Sequence, residues 1–112
     1  MSRLNRGWVF ISGPMTTSGE PGPNLHQAAK AFAELIQIGF VPVIPHTSWI
    51  VHAIRPDILI ESFHQWDFEM IRKCDFVLRL PGESIGADKE VKFARSIGVK
   101  AINEVKELLR YV

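Results

Sequence analysis

The passage Phe76-Val77-Leu78-Arg79-Leu80-Pro81-Gly82-Glu83-Ser84-Ile85-Gly86-Ala87-Asp88-Lys89-Glu90 decides the fold, because its character changes twice in a short space. The run from Phe76 to Leu80 is apolar apart from Arg79 and reads as a buried strand. Pro81-Gly82-Glu83 breaks it as a turn. Ser84 is a helix cap, and Phe93, Ala94 and Ile97 supply an apolar stripe that Gly98 ends. Val99-Lys100-Ala101-Ile102 follows as a further strand, so the passage and its sequel spell strand, helix, strand.

The same alternation runs upstream. Trp8-Val9-Phe10-Ile11 is a β-branched and aromatic run that stops at Ser12-Gly13-Pro14. Residues 16–23 contain no apolar side chain except proline and are rich in breakers, which predicts a flexible loop. Asn24 then offers a cap for a helix over 24–38, with Leu25, Ala28, Ala29, Phe32, Leu35 and Ile36 at three-and-four spacing up to Gly39. Residues 40–44 read as a strand, and Pro42, which cannot donate to a ladder, places it at a sheet edge. Residues 45–56, with His46, Trp49 and His52, read as a connection holding at most a short helical turn. From Asp57 the pattern is helical again, with Leu59, Ile60, Phe63, Met70, Ile71 and Cys74 on one face, and 104–111 closes the chain as a short helix. No internal repeat interrupts this order.

Strands alternating with helices predict an α/β fold with right-handed crossovers. With the proline-bearing strand at an edge, the expectation is a flavodoxin-like three-layer sandwich. Its four-stranded, mostly parallel sheet has order 2-1-3-4, with helices on both faces. Ligands in such sheets bind beyond the carboxyl ends of the strands, at the switch point between the first and third. Those ends are Ser12-Gly13-Pro14-Met15 and Pro81-Gly82-Glu83-Ser84.

A length of 112 residues predicts a single domain over 1–112. Hydrophobic residues make up 46% and charged residues 22%, close to globular averages, which excludes a disordered tail, a collagen-like repeat or a coiled coil. Thirteen Lys and Arg against twelve Asp and Glu leave a formal charge of +1, without the basic excess that a nucleic acid polymer demands; one small phosphate remains acceptable. Cys74 is the only cysteine, so neither an internal disulfide nor a cysteine-rich zinc site can form, and a reducing, cytoplasmic setting is expected. No run approaches the ~18 apolar residues of a membrane span, and no secretion signal is evident, so no membrane partner is expected.

Two carboxylates stand out of place. Glu90 shares a helical face with Phe93, Ala94 and Ile97, roughly 9 Å along the helix from Ser84. Burying an unpaired carboxylate is costly or drives its pKa upward, so Glu90 needs a partner or a task. The bland alternative rotates the helix slightly and leaves Glu90 at the rim beside Lys89 or pairing a helix terminus. Asp67 shares a face with Phe63, Met70, Ile71 and Cys74, near the ligand end of its helix; its bland alternatives are an ion pair with Arg72 or a hydrogen bond to His64. Both carboxylates reach toward one crevice, and a pair whose environments separate their pKa values suits cleavage of a glycosidic bond. Ser84 is first of all a cap. The helix N-terminus with Gly86 and Ala87 also suits a phosphate or a ribose hydroxyl.

Three segments, Val9-Phe10-Ile11-Ser12-Gly13-Pro14-Met15, His64-Gln65-Trp66-Asp67 with Cys74-Asp75-Phe76-Val77, and the passage from Pro81 to Glu90 with Ala94 and Gly98, resemble the nucleoside 2-deoxyribosyltransferase-like superfamily. That superfamily includes nucleoside 5'-monophosphate N-glycosidases and small phage-type proteins. The resemblance implies that Glu90 is the nucleophile that attacks the anomeric carbon, and that Asp67 assists departure of the base. It implies that Gly13, Pro14 and Met15, with Phe10 and Ser12 beside them, form the loop around base and phosphate, and it matches His46 to a histidine of some hydrolases. Ser84 stands where transferases acting on free nucleosides carry an aspartate, and a hydroxyl there suits a phosphate dianion better. Phe10 stands where many relatives have a tyrosine near the 2' side of the sugar, which leaves ribose and deoxyribose both open.

The resemblance thus implies an enzyme that hydrolyses the base–sugar bond of a nucleoside 5'-monophosphate through a glycosyl-enzyme intermediate, needing neither metal nor organic cofactor. Glu90 and Asp67 would be catalytic. Phe10, Ser12, Gly13, Pro14, Met15, His46, Ser84, Gly86 and Ala87 would bind substrate. A homodimer or higher homo-oligomer is expected, a second copy finishing the pocket. The alternatives are a transferase that exchanges bases and a non-catalytic nucleotide-binding module. Arg79 is odd in an interior strand and points to an oligomer contact or to the pocket.

Overall fold

The computed structural model describes residues 6–14 and 21–112. Four strands, β1 (Trp8–Ser12), β2 (Val41–Val43), β3 (Phe76–Arg79) and β4 (Lys100–Ile102), form one sheet in the order β2-β1-β3-β4. Every pairing is parallel, with Phe10 opposite both Val43 and Val77, and Val77 opposite Ala101. Helix α1 (Pro21–Gln37) links β1 to β2, α2 (Ser48–Ile54) and α3 (Ile60–Lys73) link β2 to β3, and α4 (Ile85–Ser96) links β3 to β4. A 3₁₀ turn at Pro45–Thr47 precedes α2, and a second 3₁₀ segment, Val105–Tyr111, follows β4. This is the expected three-layer α/β sandwich, and β2 with Pro42 is indeed an edge.

Strand alternation sorts the core into two layers. Val9 and Ile11 of β1 and Leu78 of β3 point to one face, where Ala28, Ala31 and Leu35 of α1, Phe40, Ile102 and Leu108 complete a cluster. Phe10 and Val77 point to the other, against Ile71 and Cys74 at the end of α3 and Val91 and Ala94 of α4. Cys74 is buried there, and burial together with the Asp75 charge pushes its thiol up to about 12.

Several elements differ from the sequence reading. The loop expected over 16–23 lies outside the described residues up to 20, and its remainder, Pro21-Gly22-Pro23, begins α1. Proline is acceptable in a first helical turn, whose N–H groups have no intrahelical acceptor. The buried stripe of α1 runs through Ala28, Ala31 and Leu35, while Ala29 and Ile36 face outward. Residues 45–56, expected to be irregular, contain α2, a helix with no buried residue. On α4 the stripe is Ala87, Glu90, Val91 and Ala94, rotated so that Ile97 is exposed and Phe93 half-buried.

Two close approaches lock the loops at the switch point. Leu80 N donates to Ser12 O at 2.7 Å. A Cβ at Gly13 would lie 2.9 Å from the Leu80 Cβ, and a Cβ at Gly82, where φ is +114°, would lie 2.8 Å from the Pro14 Cγ. Larger residues at either place would force the two loops apart. Arg79 ties the same turn down. Its guanidinium donates to Leu80 O, to Gly82 O at 2.9 Å and to Asp88 Oδ1 at 3.0 Å, the last in the first turn of α4. Its oddity in an interior strand is thus met within the chain: it fixes the lead-in to α4.

Candidate active site

A cleft of about 490 Å³ opens beyond the carboxyl ends of the strands. Gly13 after β1 and His46 after β2 meet there with Trp49 and His52 of α2, Phe63, His64 and Asp67 of α3, and Ser84, Ile85, Gly86, Ala87 and Glu90 around the start of α4. This is the switch point, where the opposed crossovers on either side of β1 and β3 leave the sheet end open.

Asp67 and Glu90 meet at its floor, each only 8% exposed. The rim alternative for Glu90 is therefore not what the helix adopts, although α4 is rotated as that alternative supposed. Arg72 pairs with Glu69 at 3.3 Å, not with Asp67. Asp67 Oδ1 is buried without a hydrogen-bond partner among the described residues. Burial first, then the hydrogen bond to Glu90 and its charge, push the Asp67 carboxyl up to about 9, which favours its protonated form. Glu90 Oε1 accepts from the Ser12 hydroxyl at 2.7 Å.

Ser84 caps α4 as expected, its hydroxyl oxygen accepting from Ala87 N at 3.1 Å. Asp88 N bonds to Ser84 O. The helical ladder therefore leaves the Ile85 and Gly86 N–H groups at the positive end of the helix without an intrahelical acceptor. His46 is almost wholly buried, and its Nε2 lies 3.2 Å from Pro14 O. A carbonyl can only accept, so Nε2 carries the proton and Nδ1 is a lone-pair acceptor with no partner among the described residues. Burial lowers the His46 pKa, against the smaller opposing effect of that hydrogen bond, and the ring is neutral.

Of the residues expected to bind substrate, Gly13, His46, Ser84, Gly86 and Ala87 line the cleft together with Asp67 and Glu90. Phe10, Ser12 and Pro14 do not line it: Phe10 is core, Ser12 touches Glu90, and Pro14 packs on the Gly82 loop. Met15 lies outside the described residues. The reading of the sequence did not include the aromatic wall. Trp49 and His52 come from α2, and the His52 ring stands edge-on to Phe63 at 5.8 Å. Ile60, Phe63, His64 and Asp67 have helical spacing, a pattern that marks one face of α3 as the cleft wall.

No Lys or Arg lines the cleft among the described residues, and no group of three or more His, Cys, Asp or Glu there could hold a metal ion. The arrangement is therefore two buried carboxyl groups at the floor, aromatic and imidazole surfaces on one wall, and a helix N-terminus on the other.

The sequence model of the family described as "Domain of unknown function (DUF4406)" matches residues 8–103. The chain belongs to that family. No curated protein matches it. The DUF4406 match spans all four strands and every residue of the carboxylate pair and its surroundings. Among the described residues, no helix of this DUF4406 chain is long and apolar enough to cross a membrane.

Proposed function

We propose that the cleft cleaves the N-glycosidic bond of a nucleoside 5'-monophosphate. The observation that carries this reading is that two buried carboxyl groups, Asp67 and Glu90, share the floor of a cleft at the switch point, where burial and the neighbouring carboxyl raise Asp67. Glu90, as a carboxylate, attacks the anomeric carbon, and the bond from that carbon to the base nitrogen breaks with its electron pair leaving on the base. Asp67 delivers its proton to the departing base. Water then attacks the same carbon and gives a proton to the Asp67 carboxylate, which frees Glu90 and releases the sugar 5-phosphate. Trp49, Phe63 and the imidazoles offer flat surfaces for a base, and the Ser84 hydroxyl with the Ile85 and Gly86 N–H groups offers a seat for phosphate. Neither metal nor organic cofactor takes part in these steps.

A second reading, base exchange between free nucleosides, is favoured by the absence of Lys and Arg from the described cleft wall. It uses the same nucleophile. A silent nucleotide-binding module is the third.

The proposal includes a second copy of the chain. Trp49, Ile50, Val51 and Ile54 of α2 are exposed, as are Leu59, Ile60 and Ile85 around the cleft mouth, an apolar surface that a subunit contact would cover. Near-neutral charge and the cytoplasmic setting read from the sequence fit a small nucleotide rather than a polymer as partner.

Incubation with a panel of nucleosides and 5'-monophosphates, with free base followed by chromatography, separates the readings. Base is expected from a monophosphate in water alone, with at least a 10³-fold loss in Glu90→Ala. Base release only from free nucleosides, and only with a second base present, moves the assignment to the transferase. No base from any substrate removes both. Sedimentation that finds only monomers removes the second copy.

A further inference from the structure

Ser12 lies at the end of β1, an interior strand, on the face that also carries Phe10. It is wholly buried and does not line the cleft. A buried hydroxyl is unfavourable unless bonded, and an alanine would fill the strand equally well. The hydroxyl has one proton and two acceptors in reach, Glu90 Oε1 at 2.7 Å and Ala87 O at 3.4 Å. The shorter, charge-assisted contact takes the proton.

Two carboxyl groups in contact in a buried site hold one proton between them. Mutual repulsion alone does not select which group carries it. The neighbourhood does: Glu90 has a hydroxyl donor at close range, while Asp67 Oδ1 is buried with no partner among the described residues. A donor stabilises the charged form of the carboxyl it touches. We propose that Ser12 is a positioning residue that divides the labour of the pair, donating to Glu90 Oε1 so that the charge stays on Glu90 and the proton stays on Asp67.

The other titratable groups around the pair leave this assignment in place. After β2, His46 is neutral and its Nε2–H is spent on Pro14 O. His52 of α2 sits against Phe63, and His64 of α3 lines the cleft one turn from Asp67. Glu61 and Lys89 border an adjoining groove that Glu90 also lines, and Asp88 is held by Arg79. Phe10, two residues back on the same face of β1, has no hydroxyl to offer. The catalytic meaning of the division rests on the glycosidase reading, with Glu90 as nucleophile and Asp67 as acid; the division itself does not.

The test is a carbon-13 titration of carboxyl-labelled Asp and Glu in the wild-type chain, Ser12→Ala and Ser12→Cys, with no substrate present. At pH 7 the wild type is expected to give a protonated Asp67 and an ionised Glu90. In Ser12→Ala the ratio of the two singly protonated forms falls about tenfold, as for the loss of one hydrogen bond to a charge. The Asp67 and Glu90 resonances then move toward each other. Ser12→Cys, of similar shape but a weaker donor, moves them in the same direction by less, and it serves if the alanine variant does not fold. Resonances that stay at their wild-type positions in the variants overturn the proposal. Where wild type cleaves nucleotide, Ser12→Ala is expected to lower kcat several-fold with KM within about twofold. A raised KM at unchanged kcat would make Ser12 a ligand contact and overturn it as well. If wild type cleaves nothing, the glycosidase reading falls and the titration still decides for Ser12.

Discussion

The two faces of the sheet are built from the same strands and do different work. Toward α1, every buried position of the cluster is apolar, from Val9 and Ile11 through Leu35 and Phe40 to Leu108. Toward α3 and α4 the layer begins in the same manner with Phe10, Val77, Ile71 and Ala94, then gives way at the carboxyl end to Ser12, Asp67 and Glu90. One face is committed to holding the chain together. The other gives up apolar contact at one end for two carboxyl groups that water would solvate better, a stability cost that is common at functional sites.

The comparison can be broken most sharply on the α1 side. Phe40 is wholly buried and packs edge-on to Phe76 at 6.0 Å. Phe40→Ala is expected to cost about 3–5 kcal/mol in denaturant unfolding, with any activity of the surviving folded fraction unchanged. A cost below about 1 kcal/mol would mean that this face is not the stabilising one.

On the α3/α4 side the sign reverses. The Asp67 carboxyl is raised above its unfolded value, so between the two values the folded chain binds more protons than the unfolded chain. Stability is therefore full below about pH 4 as far as this group is concerned, and falls as pH rises toward about 9. Asp67→Asn removes that slope. At pH 8 the variant is expected to be more stable than wild type by on the order of 2 kcal/mol, a figure kept below the full linkage because the group borders an open cleft. Urea melts at pH 5 and pH 8 check both; a wild-type curve that is flat with pH would contradict it. Under the proposed glycosidase function the same change would also remove the acid, so a gain in stability is expected to accompany a loss of cleavage.

The smallest effect sits where the faces meet α4. Ser84→Ala deletes the cap on Ala87 N and should cost about 1 kcal/mol, the ordinary value for a lost helix cap. A loss of cleavage far beyond what that destabilisation explains would mark Ser84 as a phosphate contact too.

Much of this contrast could be read from residue order. The apolar runs at Trp8 and Phe76, the edge proline Pro42 and the breaks at Gly39 and Gly98 follow local rules, and sheet order followed from them. Glu90 and Asp67 were visible because a carboxylate breaks an apolar helical stripe whatever the exact rotation of the helix. The rest depended on tertiary context. Helix α2 buries nothing, so its Trp49, Ile50, Val51 and Ile54 show no inward stripe, and its β-branched residues lower helix propensity. Ile85, Leu59 and Ile60 are apolar yet exposed, which no periodicity distinguishes from core. Ser12 belongs to a strand-end turn in the sequence, and its contact with Glu90 spans 78 positions of chain, out of reach of any local pattern.

The Cys74 thiol, sealed in the core and held protonated, makes the chain a natural cysteine-light background. A maleimide dye should pass over it in the folded state. A cysteine introduced at Lys89, on the exposed side of α4, then becomes the single reporter position, beside the groove that Glu90 shares. A fluorophore there would register ligand entry without a second label to remove.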